Sequence, residues 1–118
     1  MPHLLGGTIK AVYTTSNPLS DFDSLTETGI YRFDNDAAIN NAENKPDNGI
    51  KTPAYVEVKK TSSGQQFQIL HGLMSATGGG YIEVVYERKI GSPKTPWSRL
   101  DNFGCNTLAE LKAALANV

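Results

Sequence analysis

Apolar and polar residues alternate along the middle of the chain, which is the pattern of half-buried β-strands. The alternation runs through residues 55–61, 65–71 and 81–88, and short Gly- and Ser-rich segments separate these stretches. Because the connections are too short for a parallel crossover, we expect three consecutive antiparallel strands. The period of two predicts a buried face that consists of Val56, Val58, Phe67, Ile69, Ile82 and Val84.

A further strand is predicted upstream, where the strand-forming residues 30–33 follow Gly29. Glycine supplies the backbone freedom that a sharp reversal needs. Farther along the chain, residues 96–100 form a second segment to which the strands between return, and this segment contains Trp97. We expect Gly29 to be a structural glycine, and Tyr31 and Trp97 to be core residues that close the domain.

Two less regular regions flank this strand. Residues 8–15 contain another possible strand, so residues 1–20 are either a linker or an edge strand of the domain. Residues 34–49 are rich in Asn and Asp and predict a long polar loop with one short helical turn within 36–41. A loop of this length in a small domain is usually functional or a covering flap.

The hydrophobic period changes at the C-terminal end. Thr107 and Glu110 form a capping-box pair, and Leu108, Leu111 and Leu115 recur at helical spacing. The sequence therefore predicts a mainly β fold: a small antiparallel meander sheet with long polar loops and a short C-terminal helix. We divide the chain into an N-terminal segment 1–20, a β domain 21–103 and a helical segment 104–118.

Composition narrows the possible classes of function. The 118 residues carry a net charge of −1, and no apolar run approaches the roughly 20 residues of a membrane helix. We therefore expect no nucleic-acid partner and no membrane insertion. The single cysteine, Cys105, excludes an intrachain disulfide.

The residue types that carry catalysis or bind metals are sparse. The two histidines, His3 and His71, are far apart in sequence, and Cys105 has no metal-ligand neighbours. The acidic pairs at 21–23 and 34–36 lack the spacing of a calcium loop. We expect no catalytic residue, no metal and no cofactor, and therefore not an enzyme.

Amide and aromatic side chains are the better candidates for ligand binding. Asn40, Asn41 and Asn44 can donate and accept hydrogen bonds to sugar hydroxyls, and Tyr55 or Tyr81 can stack on a sugar ring. The alternative is that these amides only satisfy the backbone of their own loop.

Several short motifs follow one another in a characteristic order along residues 21–103. They are Leu25, Thr28-Gly29-Ile30-Tyr31, Ala42-x-Asn44-x-Pro46, Val56-x-Val58, Gln66-x-Gln68, Tyr86-x-Arg88 and Pro96-Trp97-Ser98-x-Leu100. In order and spacing they resemble the pyocin-knob family, which comprises small domains in the tail fibres of bacteriophages and of phage-tail-like bacteriocins.

The resemblance implies a homotrimeric component of a virion tail fibre or tail-like particle, made in the bacterial cytoplasm. It implies a receptor-binding domain that attaches to the host surface through a cell-surface polysaccharide, or alternatively a structural knob or spacer. Because a short helix is marginal alone, we expect Leu108, Leu111 and Leu115 to contact other chains of the trimer. The alternative is that the helix folds back onto the sheet of its own chain.

Overall fold

The structure, a computed structural model, describes residues 8–91 and 93–100 and is mainly β, as the sequence predicts. A 3₁₀ turn at Phe22–Ser24 and helix α1 at Ala37–Asn40 complete the regular elements of this part. The strands are β1 Ile9–Tyr13, β2 Gly29–Phe33, β3 Lys51–Lys60, β4 Gln66–Ser75, β5 Tyr81–Lys89 and β6 Ser98–Arg99.

All six strands form one sheet, in which they lie side by side in chain order. Strands β2 to β6 pair antiparallel, and the three central strands are consecutive, which confirms that prediction. The predicted sheet was wholly antiparallel, but β1 pairs parallel to β2. The reason is the connection 14–28, which is long enough to return the chain to the starting end of the sheet. Residues 9–13 thus form an edge strand.

Alternation of side chains gives the sheet two different faces. On the covered face lie Val56, Val58, Leu70 and Val84, each at most 1% exposed. The predicted face was right for β3 and β5 and wrong for β4, because Phe67 and Ile69 lie on the opposite face and are only half-buried. Ile82 shares the covered face but is also only half-buried.

The error in β4 has a physical cause. Both phases of the strand contain apolar residues, and the correct phase buries a polar residue, Gln68, which is 0% exposed. A buried amide is tolerated only when it is hydrogen-bonded, and its partners come from a distant loop. The period of two could not reveal those partners.

Two irregular segments, 14–28 and 34–50, lie across the covered face and complete the core. The second is polar in composition, yet it contains the predicted helical turn as α1 and contributes several buried residues. The apolar residues that these segments bury are Leu19, Phe22, Leu25, Ala38, Ile39, Ala42 and Ile50. The loop is therefore a covering layer of the domain.

Gly29 begins β2 at a place where β1 comes very close. Its φ is +148°, and a Cβ atom there would lie 2.5 Å from Lys10 Cγ and 2.8 Å from the Thr8 carbonyl oxygen. Glycine is thus required by both backbone conformation and space. Tyr31, two residues later, is 7% exposed and donates a hydrogen bond from its hydroxyl to the Glu27 carbonyl, 2.9 Å away.

The predicted C-terminal helix lies outside the described residues. This applies to the whole segment 104–118, including Cys105 and the leucines Leu108, Leu111 and Leu115.

Candidate functional site

A buried arginine organises the covered face of the sheet. Arg88, on β5, is only 4% exposed. Its Nε donates a hydrogen bond to Gln68 Oε1 at 2.8 Å, and its Nη2 lies 2.8 Å from Asp23 Oδ1. The guanidinium group also lies over the ring of Trp97, 4.7 Å from the centroid. A buried charge of this kind is stable only when it is paired and hydrogen-bonded, as it is here.

Two glutamines on β4 hold the segment that follows the 3₁₀ turn. The Gln68 amide nitrogen donates to the carbonyls of Phe22 and Leu25, at 2.7 and 2.9 Å. Gln66, two residues earlier on β4, donates a hydrogen bond to the Thr26 carbonyl at 2.6 Å. These bonds tie the irregular segment to the sheet, and the Phe22 carbonyl also accepts a hydrogen bond from the Leu25 backbone N–H.

Asn44 joins the second irregular segment to the same cluster. Its φ is +59°, a conformation that asparagine tolerates better than most residues. Its side-chain nitrogen donates hydrogen bonds to Asp21 Oδ1 at 2.9 Å and to Asp23 Oδ2 at 3.2 Å. Its backbone carbonyl accepts a hydrogen bond from Trp97 Nε1 at 2.8 Å. We call Asp23, Asn44, Gln68, Arg88 and Trp97 the Arg88 cluster.

The electrostatics of the Arg88 cluster favour the ionised form of Asp23. A hydrogen bond from Lys94, aided by one from Arg88, holds the pKa of the Asp23 carboxyl below its ordinary value, although burial opposes this effect. Trp97 and Phe22 pack with their rings perpendicular and the ring centroids 5.8 Å apart. The side chains of the cluster bind one another and the loop backbone, so the cluster fixes the loops to the sheet.

The opposite face of the sheet carries a different group of residues, and the side chains near its centre, such as Tyr55, Ile69 and His71, are only half-buried. At its centre, Tyr55 and His71 are cross-strand neighbours on β3 and β4, and their rings stack with centroids 4.5 Å apart. A pocket of about 310 Å³ opens beside them. Its lining residues are Pro53, Tyr55, His71, Gly72, Leu73, Glu83, Val84 and Val85. We call this the open-face pocket.

Carboxylates surround the two rings. Glu57 and Glu83 lie close enough to interact electrostatically with both Tyr55 and His71. Glu87 shares the same face, opposite Ile69. Among residues 8–91 and 93–100, none of these three glutamates forms an ion pair.

The charge of His71 follows from its burial. Burial lowers the pKa of the imidazole, and the carboxylates of Glu57 and Glu83 only partly oppose this effect. Burial likewise raises the pKa of the Tyr55 hydroxyl. Both rings are therefore neutral near pH 7, and the charge around them is negative.

The predicted ligand-binding residues do not form one site. Asn40 and Asn41 are exposed on the loop that covers one face, and the Asn44 side chain belongs to the Arg88 cluster. Tyr55 and Tyr81 lie on the other face, where Tyr81 is 62% exposed. The two groups are separated by the sheet, because the parity of β3 and β5 directs both tyrosines away from the loop.

Sequence reasoning missed the residues that accompany Tyr55. His71 and Glu83 were not predicted as ligand contacts, yet both line the open-face pocket. The pairing of β3 with β4 is the signal that places His71 beside Tyr55. With the correct phase of β4, this neighbour relation follows from the register alone.

We expect the stability of the protein to fall as the pH drops below the ordinary histidine pKa of about 6.5. Since the folded-state pKa of His71 is lowered, the unfolded chain binds the proton more readily. The contribution of His71 to stability is complete above the pKa that the imidazole has in the unfolded chain. It is lost as the pH falls through the lower pKa of the folded protein. The pKa values of Asp23 and Asp36 are also lowered, so protonation of these carboxyls reduces stability only below about pH 4.

Thermal unfolding followed by circular dichroism between about pH 7.5 and 5.5 tests this expectation. The His71→Gln variant should show a smaller decrease in melting temperature over this range than the unmodified protein. Equal decreases in both proteins would show that His71 is not the titrating group.

The fold and the open-face pocket define a small β-sheet module with one closed face and one candidate binding face. Comparison with known proteins adds no relative: no protein-family model, no curated protein and no solved structure matches this chain. Within the described part of the chain, no helix is long and apolar enough to cross a membrane. The same residues contain no group of three or more His, Cys, Asp or Glu side chains that could hold a metal ion.

Proposed function

We propose that this chain is a receptor-binding domain of a phage tail fibre, or of a phage-tail-like bacteriocin fibre, that attaches to a glycan on the bacterial surface. In this proposal it is a binding module without catalytic residues. The working unit is a homotrimer, with Leu108, Leu111 and Leu115 as its proposed contacts around a threefold axis.

One observation carries the proposal: motif residues that are far apart in sequence meet in the Arg88 cluster. Gln68, Arg88, Trp97 and Asn44 come from four of the motifs that resemble the pyocin-knob family, and each contacts another of them. Such mutual dependence is a physical reason for these residue types to occur together in one kind of module. It supports the family resemblance on which the tail-fibre function rests.

The open-face pocket supports binding as the activity of the module. Each ring of the stacked aromatic pair has an outer face and an edge that do not contact the other ring, and the Glu83 carboxylate beside them accepts hydrogen bonds. Aromatic walls with a few polar groups are typical of small-molecule sites. A sugar ring, which has apolar faces and a polar edge, suits this combination.

The second candidate function is a structural knob or spacer of the fibre. The observation in its favour is that four polar motif residues form hydrogen bonds to one another or to the irregular segments: Asn44, Gln68, Arg88 and Trp97. A module built only to join fibre segments needs such a cluster and no ligand.

Binding to whole cells distinguishes the two functions. The fluorescently labelled chain, with its mass first measured by light scattering, is incubated with a panel of bacterial strains. We expect a trimer that binds some strains saturably and loses binding after periodate oxidation of the cell-surface glycans. A trimer that binds no strain would favour the spacer, and a monomer at micromolar concentration would contradict the trimer.

A further inference from the structure

The open face of the sheet has an excess of negative charge at its centre. Glu57, Glu83 and Glu87 occupy β3 and β5, and no ion pair of the described residues involves them. The nearest cation in the register, Arg32, lies opposite Tyr55 but is 3.0 Å from Asp34 Oδ1. The remaining cations of this face, Lys59 and Lys89, lie toward one end.

The aromatic pair strengthens the preference for a positive ligand. A cation over the face of a tyrosine ring is attracted by the ring quadrupole, and the attraction grows when both are removed from water. Because burial lowers the pKa of His71, its imidazole carries less positive charge at a given pH than an exposed one and repels such a ligand less. Glu83 lines the same pocket as the two rings and places a carboxylate within it.

The size of the pocket limits the ligand. A volume of about 310 Å³ lies at the small end of ligand pockets in proteins. The pocket is too small for a folded partner, and its mixed lining of rings, aliphatic side chains and one carboxylate suits a small saccharide with a polar edge.

We propose that the open-face pocket is the ligand site of this module and that it binds an amino sugar through its protonated amine. The sugar ring lies against Tyr55 and His71, and the ammonium group interacts with Glu83, the carboxylate among the lining residues of the pocket. This inference rests on the proposed glycan-binding function, and charge complementarity selects its ligand class.

The test is an NMR titration of the full chain at about pH 6, where the amine is protonated and ordinary carboxyls are ionised. Chitosan oligosaccharide supplies the free amine, and chitin oligosaccharide is the neutral, N-acetylated counterpart. We expect the chitosan oligosaccharide to bind about tenfold more tightly, the factor that a cation–aromatic contact with a carboxylate partner can supply. Equal affinities, or no binding of the chitosan oligosaccharide, would overturn the proposal.

Variants locate the site. Glu83→Gln removes one charge from an exposed side chain with almost no change in shape, and we expect it to weaken chitosan binding about fivefold. The matched control is Glu43→Gln, which removes an exposed carboxylate from the loop on the covered side and should leave the affinity unchanged. Equal effects of both variants would show that only overall charge attracts the ligand.

Tyr55→Ala tests the stacking partner, with its fold checked by circular dichroism. We expect loss of at least about nine-tenths of the affinity for the chitosan oligosaccharide. Choline is titrated in parallel, because its quaternary ammonium group carries a single positive charge without a sugar. Binding of choline without binding of the chitosan oligosaccharide would overturn the choice of an amino sugar.

The inference and the function on which it rests can fail separately. Cell binding that survives both Tyr55→Ala and Glu83→Gln would overturn the pocket as the ligand site while leaving the receptor-binding function intact. Oligosaccharide binding by a chain that binds no cells would support the pocket and contradict the cell-surface function.

Discussion

Replacing Arg88 with methionine should lower the free energy of unfolding by about 2–4 kcal/mol, through an unsatisfied buried acceptor and a lost cation–aromatic contact. Methionine keeps much of the apolar length of the side chain but supplies no hydrogen-bond donor. Gln68 Oε1, which accepts from Arg88 Nε in a fully buried position, would lose that bond. Urea unfolding followed by circular dichroism measures the change.

The loss should not be confined to one pair, because Arg88 contacts two separate loops. Its bond to Asp23 holds the segment around the 3₁₀ turn, and its stacking on Trp97 holds the segment before β6. Asp23 is partly exposed and can be rehydrated, so most of the loss should come from Gln68 and Trp97. We therefore expect the Arg88→Met variant to show weaker protection of the loop amides as well as lower overall stability.

Arg32→Met is the matched control. Arg32 also contacts an aspartate, Asp34 at 3.0 Å, but its side chain is 50% exposed. Exposed ion pairs contribute only about 0–1 kcal/mol, so this variant should unfold at nearly the same urea concentration as the unmodified protein. If both arginine variants lost the same stability, the buried network would not be the cause.

The sequence predicted the strands well because their signal is local. Alternation along β3 and β5 identifies the buried positions without knowledge of what covers them, and Val56, Val58 and Val84 are buried as expected. In β4 the same method chose Phe67 and Ile69, because apolar residues there occur in both phases. The parallel pairing of β1 was missed because it depends on the path of a long irregular connection.

The polar loop illustrates what composition conceals. Residues 34–49 have the composition of an exposed ligand-binding loop, yet Ile39 is 1% exposed and Ala42 is 3% exposed. Asn44, predicted as a ligand contact, uses its side chain to bind Asp21 and Asp23. Hydrogen-bond partners so far apart in sequence cannot be inferred from either residue alone.

Only part of the candidate site could be predicted from the sequence. Tyr55 was selected because its neighbours on the same face are charged, and it does line the open-face pocket. His71 and Glu83 entered only with the register of β3, β4 and β5, which places them beside it. A binding surface on a sheet is formed across strands, so strand pairing must be known before its members can be listed together.

Trp97→Ala should destabilise the protein by about 3 kcal/mol, the lower end of the range for truncating a large aromatic side chain. The lower end applies because Trp97 is only partly buried. Its ring nevertheless fills the space between Phe22 and Arg88, and its Nε1 donates to the Asn44 carbonyl. Removal of the ring therefore affects both irregular segments of the covered face.

Two further variants separate the contributions of Trp97. Trp97→Phe keeps an aromatic face for Arg88 but has no indole N–H, so it should recover roughly half of the loss, with the missing hydrogen bond accounting for about 1 kcal/mol.

Because Trp97 and Arg88 are in contact, the double variant Arg88→Met/Trp97→Ala should lose less than the sum of the single losses, by about 0.5–2 kcal/mol. Additive losses in urea unfolding would mean that the two side chains stabilise the loops independently. If Trp97→Ala instead kept its stability and lost ligand binding, Trp97 would belong to a binding site and not to the structure that closes the domain.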